Sequence, residues 1–219
     1  MSKFARILIV GVVGALLIAT LAATAFADSP RPHRPDVTGA TPDTYNAGWV
    51  TGVSRDGGAK AQSIKLGDHS TDASDFAYYS FRNWWDQELD DVIKIRASFL
   101  AAAGTVNSGG SPRISVEVYD GVGGPTDVIY LDPAHCGNAA PGGWVDSDFT
   151  GDRTDCSIFD SNGTEYVSSG NVSAWDKLVA DPHYDGKLVY FAYAIQDATT
   201  GANYIDRIFL DSALFTSSK

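Results

Sequence analysis

The sequence predicts an all-β protein, an antiparallel β-sandwich with one short helix and one disulfide. Apolar and polar residues alternate over short runs, as they do on half-buried strands. Gly, Asp, Asn and Ser punctuate those runs as turns. The i, i+3, i+4 apolar spacing of a helix is almost absent outside one segment around Trp175. With 44% hydrophobic and 20% charged residues, the composition excludes a disordered tail or a collagen-like rod.

Residues 1–27 open with Lys3 and Arg6, run through apolar residues from Ile7 to about Leu21 and end in Ala25-Phe26-Ala27. This is the pattern of a cleavable secretory signal. An uncleaved anchor is the competing reading, because a run of this length approaches the roughly 20 residues that span a bilayer. The small-residue site and the abrupt change to Asp28-Ser29-Pro30 favour cleavage, which leaves a secreted, extracellular chain with no membrane association. Residues 28–43 carry Pro30, Pro32, Pro35 and Pro42 and read as an extended linker. The remaining 44–219 read as a single β-sandwich domain.

Within that domain, residues 91–99 place Ile93, Ile95, Ala97 and Phe99 on one face and Lys94, Arg96 and Ser98 on the other. Residues 113–119 repeat the device, with Ile114, Val116 and Val118 inward, before Asp120-Gly121 turns the chain. Residues 127–131 read as the antiparallel return strand. Residues 188–195 are apolar on both faces, as in a central strand covered from both sides, and lead through a turn at 197–201 into a closing strand over 204–210. The single helix falls over 174–180, with Ser173 as N-cap and Asp181-Pro182 as stop. Cys136 and Cys156, both downstream of the export signal, pair as an intramolecular disulfide in an oxidising compartment, the alternative being two unrelated thiols.

Lys and Arg number 16 against 27 Asp and Glu, a net charge of −11; loss of Lys3 and Arg6 leaves 14 cations and −13. A body this acidic, with no basic cluster, repels phosphate backbones and excludes nucleic acid as a partner. Catalytic signatures are equally scarce. Glu88, Glu117 and Glu165 are the only glutamates and show no paired spacing, and there is no G-x-S-x-G elbow to serve His33, His69, His135 or His183. No catalytic constellation is recognisable, so the chain reads as a non-catalytic protein.

Two other groups carry chemistry. Asp146, Asp148, Asp152 and Asp155 gather in a Gly-containing loop whose oxygens suit Ca²⁺, although the spacing is not that of an EF-hand and a solvated acidic loop is the simpler reading. Asp197, Asp206 and Asp211 form a second acidic set around the closing hairpin, and Asp206, between apolar residues, requires a hydrogen-bonding partner such as Arg207 or a backbone amide. Among the aromatics, Trp144 in the Cys-bounded loop and one of the adjacent pair Trp84 and Trp85 are the candidate exposed platforms, because neighbours on a strand point to opposite faces. Flat rings beside Asp, Asn and Arg suit the CH faces and hydroxyls of sugars.

The order of segments, from GGSPRISVEV through the Cys-bounded loop to YFAYAIQD and NYIDRIFLD, resembles the galactose-binding-like jelly rolls of secreted bacterial proteins. In carbohydrate-binding modules of that class the last strand carries a sequence like that of Tyr204-Ile205-Asp206-Arg207-Ile208-Phe209-Leu210. The likeness covers roughly Trp85 to Leu214 and implies a jelly-roll-like sandwich with a polysaccharide partner. The resulting expectation is an exported, non-catalytic binding module for a glycan or another extracellular polymer. A structural or adhesive protein with an extracellular protein partner is the alternative.

Overall fold

The computed structural model describes residues 36–40, 47–55, 57, 62–67, 76–81, 86–103, 105, 112–136, 142–151, 156–197, 201–211 and 213–215. Among the described residues, thirteen strands form two antiparallel sheets. The seven-stranded sheet has β1 (Asp36–Ala40), β4 (Phe76–Phe81), β11 (Leu188–Asp197), β6 (Arg113–Tyr119), β7 (Asp127–Leu131), β9 (Ser157–Asp160) and β10 (Glu165–Val167) in that spatial order. The six-stranded sheet runs β2 (Gly48–Thr51), β3 (Gln62–Leu66), β12 (Asn203–Leu210), β5 (Ile95–Ala101) and β8 (Trp144–Asp148), with β13 (Ala213–Phe215) also paired to β12.

Alternation in the sequence sets the layers. Along β6, Ile114, Val116 and Val118 are fully buried, and they join Phe81 and Ile129 of the same sheet in one core with Ile64, Phe99 and Ile205 of the other. Each large side chain so buried contributes about 1.5 to 3 kcal/mol of transfer free energy. The architecture is therefore the two-sheet antiparallel sandwich read from the sequence, with its short helix and its Cys136–Cys156 disulfide. Helix α1 (Ala174–Val179) begins at Ser173, whose side chain accepts from the Asp176 amide while the Asp176 carboxylate accepts from the Ser173 amide. Trp175 of α1 is buried, with Nε1 donating to the Val92 carbonyl at 3.0 Å.

Three local readings differ from the observed structure. The strand expected over 91–99 starts only at Ile95, and Ile93 is 80% exposed. The Asp211 carboxylate accepts from the amides of Ile93 and Lys94, which removes those donors from the β ladder, and Val92 takes the inward place. Strand β1 falls within the stretch read as linker; it starts just after Pro35, where free N–H groups allow pairing with β4. Strand β11 is central, between β4 and β6, yet only one of its faces joins the core. Val189, Ala192 and Ala194 are buried, while Phe191, Tyr193 and Ile195 are half-buried on the other face.

Candidate functional site

That second face of β11 is the middle of an aromatic tract across the outer side of the seven-stranded sheet. Directly opposed residues of antiparallel strands share a face. Tyr193 lies opposite Ser80 of β4 and Ser115 of β6, Ser115 opposite Tyr130 of β7, and Tyr130 opposite Phe159 of β9. With strands about 4.8 Å apart, Tyr193 and Tyr130 stand roughly 10 Å from each other with a small serine between them. Ser80 and Ser115 are fully buried and form the floor of the tract.

Ring contacts extend this row. Tyr193 meets Tyr78 of β4 edge-on at 5.8 Å and Phe191 at 5.5 Å. The Arg113 guanidinium lies 5.1 Å from the centre of the Tyr130 ring, and His135 packs edge-on against Phe159 at 4.8 Å. Tyr78, Glu117, Phe191, Tyr193 and Ile195 enclose an open depression of about 290 Å³. Burial pushes the Glu117 carboxyl above its ordinary range, partly offset by a hydrogen bond from Tyr193. Burial and the neighbouring Glu117 carboxylate push the Tyr193 phenol up to about 12.

The opposite side of the sandwich holds several residues read as site candidates. Trp144 is half-buried at the start of β8, opposite Leu100 of β5, which in turn opposes Tyr204 of β12. Asp146 and Asp148 follow on the same face of β8, opposite Ser98 and Arg96. Each is engaged by a guanidinium. Asp146 accepts from Arg55 Nη2 at 3.2 Å and from Ser98 Oγ at 2.5 Å, contacts that hold its carboxyl below the usual range. Asp148 pairs with Arg96 Nε at 3.0 Å and accepts from the Gly151 amide at 2.8 Å. Asp152 and Asp155 lie outside the described residues, as do Trp84 and Trp85. Among the described residues, no group of three or more His, Cys, Asp or Glu is placed to hold a metal ion.

In the second acidic set, Asp206 accepts from Ser54 Oγ and from the amides of Arg55 and Arg207, so backbone and hydroxyl donors meet its need. Asp211 is occupied by the amides of Ile93 and Lys94 and by Gln87 Nε2. Both carboxylates act as structural acceptors that tie loops to the closing strand.

A polar knot that sequence spacing did not reveal surrounds Asp127. Its buried carboxylate accepts from Ser161 Oγ, Asn162 Nδ2 (3.0 Å), His183 Nε2 (2.8 Å), Tyr184 OH (3.1 Å) and the Val128 amide (2.7 Å). Burial alone would raise the carboxyl, but these donors outweigh it and hold it below the ordinary range. Ser161 and His183 share this acceptor. A hydrolytic relay instead sets the imidazole between acid and hydroxyl, so the knot has the connectivity of a structural clamp joining β7, the β9–β10 turn and the segment after α1.

Of the residues in the aromatic tract, sequence reasoning placed none as a ligand contact. The available signal was the pairing of small with large in Phe191-Ala192-Tyr193-Ala194-Ile195, which hydrophobicity alone does not distinguish. Fold and geometry together define a β-sandwich with an aromatic outer sheet face. Comparison with protein-family models, curated proteins and solved structures gives no match for the chain.

Proposed function

We propose that this is an exported, non-catalytic module that binds a glycan or another extracellular polymer across the outer face of the seven-stranded sheet. The carrying observation is the row Tyr193–Ser115–Tyr130–Phe159, in which three rings flank one buried serine across four neighbouring strands. Such a row offers flat apolar surface to the CH faces of sugar rings, and Glu117, Arg113 and the tyrosine hydroxyls supply polar partners for hydroxyl groups. The resemblance of β12 to the closing strand of secreted carbohydrate-binding modules supports the same reading.

The test is a glycan array with the purified protein, in calcium and again in chelator. Reproducible binding is expected, weakened by at least about 1 kcal/mol in Tyr130→Ala and in Tyr193→Ala variants that keep the native circular dichroism. Loss of binding in chelator would assign a metal to the acidic loop around Asp152 and Asp155. A blank array from folded protein would move the reading to a structural or adhesive protein.

A further inference from the structure

We propose that the depression between Tyr78, Phe191 and Tyr193 is a site for an organic cation, with an ammonium group seated over the rings and against the Glu117 carboxylate. The inference rests on the reading of this face as a binding surface and names the ligand chemistry of one part of it. Three contiguous rings wall the depression, with centroids 5.8 Å and 5.5 Å apart and planes inclined at 66° and 40°. Aromatic faces carry negative charge density and attract ammonium groups, most strongly where water is displaced.

The charge of the lining points the same way. Among the described residues, Glu117 is the one carboxylic acid of the lining, and the five described lining residues include no Lys, Arg or His. Arg113, four residues earlier on the same face of β6, lies over the Tyr130 ring, and its charge also reaches Tyr193. Burial disfavours the charged form of Glu117, offset in part by the hydrogen bond from Tyr193. A bound ammonium would favour that charged form by direct countercharge. A neutral sugar would supply none, and a uronic acid or a sulfate would meet like charge within a protein already at −11. At about 290 Å³ the depression has room for a trimethylammonium head or one amino-sugar ring.

Ammonium groups of this size come from choline-type heads or from the amino sugars of a deacetylated glycan, and the experiment separates them. The full chain is titrated by calorimetry with choline, with its neutral isostere 3,3-dimethylbutanol, with a glucosamine oligomer and with the N-acetylated oligomer. At least one ammonium ligand is expected to bind about tenfold or more tightly than its neutral counterpart, and Glu117→Gln should abolish that margin. A margin for choline alone assigns a choline-type head, and a margin for the glucosamine oligomer assigns an amino sugar. Equal affinity for charged and neutral members of both pairs overturns the proposal, as does a margin that survives Glu117→Gln. The wild-type comparison stands on its own should that variant misfold. If neutral glycans bind and no ammonium ligand is preferred, the cation site falls and glycan binding stands. If choline binds while every glycan fails, the reverse holds.

Discussion

Replacing Asp127 by Asn removes one oxygen and one charge from the acceptor that joins three separated segments, while preserving its shape. In the wild type, Oδ2 accepts from Asn162 Nδ2, His183 Nε2 and Tyr184 OH, and Oδ1 from the Ser161 hydroxyl and the Val128 amide. Whichever way the Asn amide turns, its NH₂ faces donors. Asn162 and His183 are exposed enough to turn to water, and Tyr184 retains a contact with Asp160 at 3.3 Å, so the loss is smaller than the number of bonds implies. Two charge-assisted bonds lost at roughly 1.5 kcal/mol each give a destabilisation of about 3 kcal/mol. For a domain of this size that corresponds to a drop in Tm of about 6 to 12 °C.

Urea unfolding followed by tryptophan fluorescence, with calorimetry for Tm, measures the effect. The pH dependence adds an independent signature. Because the folded-state pKa of Asp127 lies below its unfolded value, its contribution is present above about pH 4 and is lost as pH falls through the folded value. The gap between wild type and Asp127→Asn should therefore close in acid. A loss under about 1 kcal/mol at pH 7, or a gap unchanged in acid, would refute the clamp.

Glu117→Gln should act with the opposite sign. The raised folded-state pKa of Glu117 means that its favourable contribution exists below about pH 4 and disappears as pH rises through the folded value, so the variant should have the higher Tm at pH 7 and lose that advantage in acid, as calorimetry would record. Reducing the Cys136–Cys156 bridge, which closes a sequence separation of 20, should cost about 3 kcal/mol in urea unfolding at neutral pH. Ser173→Ala removes the acceptor for the Asp176 amide and should cost about 1 kcal/mol, with faster amide exchange in the first turn of α1 and little change in β6.

Where one physical rule governed a segment, the sequence was readable. Strand β6 alternates because one side meets the core, α1 carries its own cap and stop, and the chain's two cysteines bond to each other. Ile93 was misplaced because Asp211, more than a hundred residues away, captures its amide. The aromatic tract was hidden because Phe191 and Tyr193 are as apolar, by composition, as the core residues beside them; only the pairing of Tyr193 to Ser80 and Ser115, and of Phe191 to Glu117, makes them a surface. Trp144 drew notice as a tryptophan in a Gly-rich loop, yet β8 lays it half-buried on the opposite sheet. The donors of the Asp127 knot come from segments dozens of residues apart, and no local spacing encodes them.

Strand β8 lies in the chain between β7 and β9 of the seven-stranded sheet but pairs with β5 of the other. The Cys136–Cys156 bond closes the base of this excursion. Should β8 peel from β5 in a thermal fluctuation, the covalent ring would keep it within reach, so that re-pairing remains a local search at high effective concentration. An edge strand held in this way can open and close while the sheets it links stay folded. Reduction would turn that hinged flap into a wider loop, still tethered through β7 and β9, whose strand edge is more available to a neighbouring chain.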